Sequence, residues 1–391
     1  MKSNVIIIGA GAAGMMCAIE AGKRGRRVIL IEHAKTPGEK IRISGGGRCN
    51  FTNKNVSKEN FISSNPNFCI SALTKYTAQD FTNLVSSKGI SWHEKTLGQL
   101  FCDTSSLDII EMLTTELKRT SVNLLLSTRV NSINHNGNDY ILETSAGQFS
   151  SESIVIATGG KSIPKIGATD FGYRIARQFD LCLVETRPAL VALTFNQIDL
   201  GKISGLSGNS VFAEVMCNRA SFSEGLLFTH RGLSGPSILQ ISSYWKERDD
   251  IIINLKKDSS IQELLVSLRK TSGKVSIKNA LGFYLPTKIA EMIINEVALN
   301  GNLGDQSNLA LEKIAQAVHH WKVKPVGSEG YRTAEVTLGG VNTDELDSIT
   351  MEVKKVKGLY FIGEIVDVTG WLGGYNFQWA WSSGWSAGQV V

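Results

Sequence analysis

Continuous apolar runs separated by helical repeats predict an α/β fold. Four runs contain few polar residues before their last positions, and they lie at 4–8, 27–32, 153–160 and 358–364. Such runs are typical of parallel strands buried on both faces of a sheet. Each run ends in, or is followed by, glycine or a carboxylate, which are the residues expected where strands meet a bound nucleotide.

Helical spacing fills part of the chain between these strands. Ile109, Leu113 and Leu117 recur on one face of a predicted amphipathic helix over 106–120. We further predict a helical stretch at 66–89, a hairpin or irregular pair at 91–105 and a returning strand at 123–130.

Residues 188–331 have a different pattern. The strand-like runs ALVALTF, SVFAEVMC and DIIINL come first, and helical segments follow. Ser260 and Ser307 precede two of these helices as N-caps. The pattern predicts a β-rich domain with a helical appendage at 188–331, inserted into a nucleotide-binding domain made of 1–187 and 332–391.

The bulk composition is that of an ordinary globular protein. Hydrophobic residues make up 42% and charged residues 20% of the 391 residues. The net charge of +5 permits a nucleic-acid partner but does not argue for one. No run of about twenty apolar residues is present, so we expect no membrane span. The six cysteines include no C-x-x-C pair, and their dispersion is typical of a cytoplasmic protein.

The glycines of GAGAAG, directly after the first strand, have the spacing of a dinucleotide turn. Gly9 permits the tight turn, Gly11 lets a pyrophosphate approach the backbone, and Gly14 lets the helix pack closely on the strand. Ala12 and Ala13 begin a helix whose free N–H groups and dipole favour phosphate.

Glu32 ends the second strand, 18 residues after Gly14, where a carboxylate accepts hydrogen bonds from a ribose diol. Strand, glycines, helix, strand and acid in one register indicate a site that fits NAD or FAD. The chain then leaves the β-α repeat that an NAD dehydrogenase normally continues. This favours FAD.

The stretch RISGGGRCNFTN at 42–53 permits three interpretations: a flexible linker, a zinc knuckle around Cys49, or a cradle for a large cofactor. Zinc lacks a partner motif, and the polar RCN that follows the glycines disfavours a linker. We therefore expect no metal site and predict that this loop wraps the cofactor with a bare backbone. The loop residues assigned to the cofactor are Ser44, Gly45, Gly46, Gly47, Arg48, Cys49 and Asn50.

Five motifs in this order resemble the BaiN/YhiN-like family of bacterial FAD-dependent oxidoreductases, which includes aminoacetone oxidase. They are SGGGRCN-T-N, ATGGKS-P, LLFTH-G-SGP, T-GGV and GLYFIGE…GGYN, and the resemblance runs from Val5 to Gly388. It implies a glutathione-reductase-like FAD domain of the two-dinucleotide-binding type with an insertion. It also implies FAD as cofactor, with NAD(P)H as a transient co-substrate if the enzyme is a reductase.

The resemblance adds further cofactor residues. It implies that the Val130 backbone meets adenine and that Glu364 contacts the ribityl chain. A helix starting near Tyr375 and Asn376 would direct its dipole at the flavin edge where negative charge gathers. The remaining residues assigned to the cofactor are Lys40, Thr158, Gly159, Gly160, Gly363, Gly373, Gly374 and Phe377.

Three residues are candidates for catalysis. His230 is the first, since a histidine pKa near neutrality suits the proton transfer that accompanies hydride transfer, although a loop-anchoring role explains it equally well. Arg231 would hold an anionic substrate or a cofactor phosphate, or be a solvated charge. Lys161 is a weaker candidate of the same kind. His319 and His320 face different ways on a helix and do not suggest a metal pair.

The sequence leaves three functions open. The first is an FAD-dependent oxidoreductase that uses NAD(P)H to reduce a small organic substrate bound between the flavin and the inserted domain. The second is an FAD-dependent amine oxidase of the aminoacetone type that uses oxygen. The third, a non-catalytic flavin-bound nucleic-acid-binding protein, ranks last because no basic and aromatic surface is visible. We expect no nucleic-acid or membrane partner, and the oligomeric state stays open.

Overall fold

The chain forms two compact units. The computed structural model describes residues 2–391. One unit consists of the residues up to Arg187 together with Val336–Val391, and the other consists of Pro188–Glu335. The first contains a largely parallel sheet and the second an antiparallel sheet with helices. The predicted fold class, an α/β dinucleotide-binding fold with a β-rich and helical insertion, is confirmed.

The strands are numbered in chain order. They are β1 (Lys2–Ile8), β2 (Val28–Ile31), β3 (Asn50–Asn53), β4 (Phe61–Ile62), β5 (Trp92–Glu94), β6 (Gln99–Cys102), β7 (Asn123–Leu125), β8 (Val130–His135), β9 (Tyr140–Thr144), β10 (Gly147–Ile156), β11 (Leu183–Ala189), β12 (Leu193–Thr194), β13 (Ser210–Cys217), β14 (Ala220–Thr229), β15 (Gly232–Ser234), β16 (Ile251–Asn254), β17 (Trp321–Val323), β18 (Gly327–Ser328), β19 (Val336–Val341), β20 (Leu359–Phe361) and β21 (Thr369–Gly370).

The α-helices follow the same order. They are α1 (Ala12–Lys23), α2 (Glu39–Ile43), α3 (Ile70–Lys75), α4 (Ala78–Ser87), α5 (Ser106–Arg119), α6 (Phe171–Gln178), α7 (Gln197–Ile203), α8 (Pro236–Ser242), α9 (Ile261–Ser272), α10 (Ile277–Gly282), α11 (Thr287–Glu296), α12 (Asn308–His319) and α13 (Tyr375–Gly388). Within residues 2–391, none of the helices has both the length and the apolar character needed to cross a bilayer.

The central sheet of the first unit brings three strand ends to one edge. Its strands lie in the order β7-β2-β1-β10-β9-β8, and β20 also pairs with β10. The strands β7, β2, β1, β10 and β20 are parallel, whereas β9 and β8 are antiparallel additions. Ile8 pairs with both Ile31 and Ile156. The residues that follow these strands, Gly9 and Glu32 among them, therefore meet at the carboxyl edge of the sheet.

Helix α13 packs against α1 through glycines. A Cβ added at Gly384 would collide with the carbonyl oxygen of Ala13, and one added at Gly388 would lie 2.6 Å from the Glu20 Cβ. Helix α5 also packs against α1. The missing side chains thus allow the last helix of the chain to lie directly on the first.

Local capping explains two helix boundaries. The predicted helix over 106–120 is present as α5, and it begins at a capping box formed by Ser105 and Asp108. The predicted helical stretch at 66–89 is divided into α3 and α4. The division occurs at Thr77, whose hydroxyl accepts the Asp80 N–H at 3.2 Å and caps α4.

The second unit is a seven-stranded antiparallel sheet with helices packed on it. The strand order is β17-β16-β13-β14-β15-β12-β18. Ser260 and Ser307 cap α9 and α12, as predicted. The His319 Nε2 accepts the Ile261 N–H at 3.1 Å, and its Nδ1 lies 3.0 Å from the Asn254 Oδ1. His319 therefore joins α12 to α9 and the sheet.

Replacing Gly384 by alanine tests the contact between α13 and α1. Alanine normally stabilises a helix interior by about 1 kcal/mol relative to glycine. At Gly384 the new methyl would instead collide with the Ala13 carbonyl oxygen. We expect Gly384→Ala to lower the melting temperature measured by calorimetry, with a loss of roughly 1–3 kcal/mol from overpacking.

The matched control is Gly201→Ala in α7, where no atom lies within 4 Å of the new Cβ. This variant should keep or raise the melting temperature. If both variants melt at the wild-type temperature, the tight packing of α13 on α1 is contradicted.

Candidate cofactor and active site

Two glycines of the GAGAAG motif, one in the turn after β1 and one in the first turn of α1, are required by packing within the chain. Gly9 has φ +107°, in the left-handed region that favours glycine. A Cβ at Gly9 would collide with the Ala157 carbonyl oxygen, and a Cβ at Gly14 would collide with the Gly9 carbonyl oxygen. Both positions are explained by packing inside the protein.

Gly11 has no such explanation. Its φ of −81° is ordinary, and no atom of residues 2–391 lies within 4 Å of the position that its Cβ would take. Gly11 is the N-cap of α1, which begins with Ala12 and Ala13, and no side chain caps this helix. Open space beside uncapped amides and a positive helix dipole fits a pyrophosphate.

Glu32 presents a fixed carboxylate at the same edge. Its Oε2 accepts the Ala10 N–H at 2.8 Å, and its Oε1 accepts the Ala34 N–H at 2.9 Å and lies 3.0 Å from the His33 Nδ1. Burial by itself raises the pKa of this carboxyl, but the hydrogen bonds from His33, Ala34 and Ala10 outweigh it and lower the pKa below its ordinary value. The group stays ionised and keeps lone-pair capacity for a ribose hydroxyl.

The SGGG loop is ordered and partly open. Gly45 and Gly46 have φ +57° and +66° within a 3-10 turn. A Cβ at Gly45 would lie 2.8 Å from the Asn50 nitrogen and 2.9 Å from the Phe101 Cε1, so this glycine packs against the chain. No atom of residues 2–391 lies within 4 Å of a Cβ placed at Gly46 or Gly47. Those two positions leave room for a ligand.

The polar residues of this loop differ in their surroundings. The Ser44 hydroxyl donates to the Ile41 carbonyl at 2.8 Å. Arg48 is exposed, and its side chain has no hydrogen bond or ion pair within the described residues. Cys49 is fully buried opposite Cys102, a neighbour that sequence reasoning did not find. Burial raises the pKa of both thiols to about 12, so they are protonated packing groups.

A polar network surrounds Glu364. Lys40 Nζ donates to the Ser162 Oγ at 2.7 Å and to the Glu364 Oε2. The Glu364 Oε1 accepts the Ser162 hydroxyl at 3.0 Å and the Thr337 N–H at 2.9 Å. The Thr337 hydroxyl oxygen accepts the Lys161 N–H at 2.8 Å. The carboxylate predicted to contact the ribityl chain is therefore neutralised by Lys40 and held in place by two further segments.

The turn after β10 lies beside this network. The Thr158 Oγ1 is buried and has no hydrogen-bond partner within residues 2–391, which leaves a polar atom for a ligand. Gly159 has φ +69° and no atom within 4 Å of its Cβ position, whereas a Cβ at Gly160 would collide with the Thr337 hydroxyl. Gly159 thus leaves open space, and Gly160 is required by internal packing.

Two glycines in the left-handed region lead into α13. Gly373 has φ +116° and Gly374 has φ +96°, and a Cβ at Gly374 would collide with the Thr52 carbonyl oxygen. The Asn53 amide donates to the Gly373 carbonyl at 2.9 Å and holds this turn on β3. No side chain caps α13, so its first turn directs backbone N–H groups and a positive dipole outward.

The side chains of the first turn of α13 are occupied within the chain. The Asn376 side chain accepts the Gly370 N–H and donates to the Gly370 carbonyl, both at 2.8 Å. Tyr375 is buried, and the Phe377 ring centroid lies 5.8 Å from that of Trp381 in a stacked arrangement. This turn therefore offers a ligand its backbone rather than its side chains.

The single strand predicted over 123–130 is wrong, whereas the adenine contact predicted for the Val130 backbone stays a prediction. The sequence predicts one strand over 123–130, but β7 ends at Leu125 and Val130 begins the antiparallel β8. The apolar run stops before the polar residues Ser-Thr-Arg, which form a turn. The Thr128 N–H donates to the Glu32 carbonyl at 2.9 Å, so this turn continues along the end of β2 after β7 has ended.

These residues fit an elongated flavin dinucleotide. The turn at Gly11 suits a pyrophosphate, Glu32 suits a ribose, and the uncapped first turn of α13 suits a planar ring that gathers negative charge. Gly363, which follows β20 with φ +73°, would place a Cβ 2.9 Å from the Ala13 Cβ. This contact joins the segment that carries Glu364 to the pyrophosphate turn.

The three catalytic candidates lie in different surroundings. Lys161, in the first unit, donates from Nζ to the Thr186 hydroxyl at 2.9 Å. Arg231 and His230 belong to the second unit, in the turn between β14 and β15. Arg231 lies 3.7 Å from a Glu329 oxygen, whereas His230 is exposed and makes no side-chain hydrogen bond within the described residues.

Sequence reasoning assigned no role to Ser162, Thr337 or Asn53. Each lies inside a motif that the sequence analysis used, namely ATGGKS, T-GGV and RCNFTN. The available signal was a small polar residue beside glycines. Their partners are far away in sequence, such as Gly373 for Asn53, and only the fold brings them together.

Curated relatives match almost the full length of the chain. One from Escherichia coli (strain K12), named ribosomal RNA dihydrouridine synthase, is 49% identical and covers 99% of this chain and 98% of its own length. One with the same name from Haemophilus influenzae is 44% identical over 98% and 97%. A 3-dehydro-bile acid delta(4,6)-reductase from Clostridium scindens is 26% identical over 100% and 99%.

Solved structures share the fold at low sequence identity. A 3-ketosteroid delta1-dehydrogenase from Sterolibacterium denitrificans has a TM-score of 0.54 at 12% identity, covering 99% of this chain and 98% of that one. A quinol-fumarate reductase has a TM-score of 0.53 at 15% identity, covering 99% and 70%. A family model described as the HI0933-like protein Rossmann domain matches residues 3–390. The chain therefore belongs to the HI0933-like family.

Proposed function

We propose that this protein is an FAD-dependent reductase that adds a hydride and a proton across the C5=C6 bond of uridine in ribosomal RNA, with NAD(P)H as electron donor. The observation that carries the proposal is the 49% identity to the Escherichia coli relative named ribosomal RNA dihydrouridine synthase, which extends over 99% of this chain. The Haemophilus influenzae relative supports it in the same way.

The names of two divergent relatives describe one class of reaction. Uridine has a C5=C6 bond conjugated to the C4 carbonyl, and a delta(4,6)-reductase of a 3-dehydro-bile acid acts on carbon–carbon double bonds conjugated to a ketone. In such a conjugated system the double-bond carbon farther from the carbonyl accepts the hydride. The double-bond carbon next to the carbonyl accepts the proton. In uridine these positions are C6 and C5. NAD(P)H, one proton and uridine yield NAD(P)⁺ and dihydrouridine, so atoms and electrons balance.

The first unit is the cofactor site in this proposal. FAD, when bound, supplies the relay that passes a hydride from NAD(P)H to the substrate carbon. The residues proposed to hold it combine open backbone, a fixed carboxylate and an orphaned hydroxyl, and they are Gly11, Ala12, Ala13, Glu32, Gly46, Gly47, Thr158, Gly159, Glu364, Gly373 and Gly374.

Helix α13 and Lys40 supply positive potential to this site. The uncapped first turn of α13 stabilises negative charge placed before it. Lys40 neutralises Glu364, which would otherwise repel such charge. Both groups are fixed by hydrogen bonds before a ligand arrives, so little reorganisation accompanies binding.

His230 is the proposed proton donor for C5. Lys161 donates to the Thr186 hydroxyl, and Arg231 lies near Glu329. A guanidinium is also a poor choice of proton donor compared with an imidazole. The exposed imidazole of His230 has no hydrogen bond within the described residues, and an imidazole is the side chain that enzymes use most often as a general acid.

RNA ranks higher among the candidate substrates than the sequence alone suggested. The sequence placed a small organic substrate first and nucleic acid last, since the net charge is only +5 and no basic and aromatic pattern stands out. The names of the relatives move RNA to first place. A small-molecule conjugated ketone is the second candidate, supported by the Clostridium scindens relative, and an aminoacetone-type oxidase is the third.

We predict that Gly11→Val yields a folded protein depleted in flavin. The valine side chain would enter the space proposed for the pyrophosphate, but its Cβ has no described atom within 4 Å, so we expect the fold to tolerate it. Flavin content is measured by absorbance, and folding by circular dichroism. In the control Gly205→Val the new Cβ likewise has no described atom within 4 Å, and this variant should stay yellow. A fully yellow Gly11→Val protein would refute the cofactor assignment.

We predict dihydrouridine in an unmodified ribosomal RNA transcript after incubation with the purified protein and NADPH. The product is identified by mass spectrometry of the digested nucleosides. Omitting NADPH is the control for carried-over modification. Reduction of a small conjugated ketone without any dihydrouridine would favour the second candidate, and consumption of small amines in air would favour the third.

We predict that His230→Gln retains flavin and loses about 100-fold or more in the rate of dihydrouridine formation, which is the usual contribution of a positioned acid. The rate of dihydrouridine formation should also depend less on pH in this variant than in the wild type. That change would distinguish proton donation from a structural role. His320→Gln, at another exposed histidine of the second unit, should leave the rate unchanged. Unchanged turnover in His230→Gln would show that His230 only anchors its turn.

A further inference from the structure

The turn between β5 and β6 presents an apolar side chain in a strained backbone. Leu97 is 60% exposed and has φ +59° and ψ 28°, in the left-handed region that leucine rarely adopts. Such strain persists only where the surrounding structure imposes the conformation. A glycine or an asparagine would satisfy this turn at lower cost, so the turn alone does not account for leucine.

Hydrogen bonds tie this turn to the entry of α13. The Asn53 amide, which is buried, donates both to the Leu97 carbonyl at 3.1 Å and to the Gly373 carbonyl at 2.9 Å. The Lys54 N–H donates to the Gly98 carbonyl at 2.8 Å and fixes the other side of the turn. Leu97 is therefore held rigidly next to the proposed flavin site.

An exposed lysine that forms no ion pair within the described residues lies beside the same turn. Lys95 Nζ lies 5.1 Å from the centroid of the Phe101 ring, the ring that would meet a Cβ at Gly45 in the SGGG loop at 2.9 Å. Lys95 is exposed and forms no ion pair with any carboxylate of residues 2–391. An unpaired cation next to an apolar tip at the edge of a cofactor site is complementary to a polyanion that carries flat bases.

We propose that Leu97 is a wedge that enters the RNA base stack at the place vacated by the target uridine, and that Lys95 contacts a neighbouring phosphate. This inference rests on the proposed function. A stacked or paired uridine cannot present C5 and C6 to a buried cofactor, so it must leave the stack. An apolar side chain on a backbone that is already fixed fills the gap and stabilises the opened RNA, and no backbone entropy is lost in placing it.

The test compares two RNAs. One is a folded ribosomal RNA transcript, and the other is a short unstructured oligouridine, in which no stack needs to be opened. Leu97→Gly and Leu97→Asn should lower kcat/KM for dihydrouridine formation in the folded transcript by about tenfold or more, while changing the rate on oligouridine by less than about threefold. Leu97→Met should keep most of the wild-type rate on both RNAs.

Two further readouts separate the wedge from a structural role. Because glycine and asparagine accept a positive φ, these variants should not lower the melting temperature, and the anaerobic rate of flavin reduction by NADPH should be unchanged. The matched control is Leu309→Ala, at a leucine on α12 that is 63% exposed, and it should behave as wild type. A Leu97→Gly protein with the wild-type rate on the folded transcript overturns the proposal.

Lys95 is tested by the salt dependence of binding to the folded transcript. Lys95→Ala should reduce the slope of log affinity against log salt concentration by about 0.7–0.9, the value for one phosphate contact. Lys313→Ala, at an exposed lysine on α12, should leave the slope unchanged. An unchanged slope in Lys95→Ala overturns the phosphate contact. If the wild-type protein forms dihydrouridine in neither RNA, the proposed function itself fails, and the wedge fails with it.

Discussion

The approach of two backbone segments to Ala13 is the constraint on which the rest of the first unit depends. Gly384 of α13 lies against the Ala13 carbonyl, and Gly363 lies against the Ala13 Cβ. Side chains at these positions would push the end of the chain away from its beginning. Because they are absent, the pyrophosphate-type turn after β1 and the turn that opens α13 belong to one compact arrangement.

Polar contacts between side chains hold in place the segments that pack closely at the glycines. Lys40, Ser162, Thr337 and Glu364 come from four separate segments and form one network. The Asn53 amide donates to the Gly373 carbonyl and fixes the turn there in the same way. The backbone positions that remain open, at Gly11, Gly46 and Gly159, lie among these fixed elements. A site assembled in this way is organised before a ligand binds.

Local patterns predicted the parts of this arrangement that depend on neighbouring residues. The strand, glycine turn, helix and acid from β1 to Glu32 were readable because each signal lies within a few residues of the next. The Glu32 carboxylate accepts hydrogen bonds from the Ala10 and Ala34 N–H groups, and these bonds support the same interpretation. The capping of α9 and α12 was equally local.

Contacts between distant segments were not readable. The parallel strand expected to end at Val130 stops at Leu125, because pairing with β2 ends there and the turn at Thr128 bonds to the Glu32 carbonyl instead. Cys49 has Cys102 opposite, although the two are far apart in sequence. A single sequence carries no record of such pairs, since each partner alone is an ordinary small or polar residue.

If the open edge of the first unit holds the proposed flavin, electrons should pass through it from NAD(P)H to uridine. The most direct measurement is an anaerobic titration that follows the absorbance of oxidised flavin, first with NADPH and then with an unmodified ribosomal RNA transcript. NADPH is expected to bleach the absorbance, and the RNA is expected to restore it. Absorbance that NADPH leaves unchanged, or that the RNA fails to restore after bleaching, would contradict the proposed function.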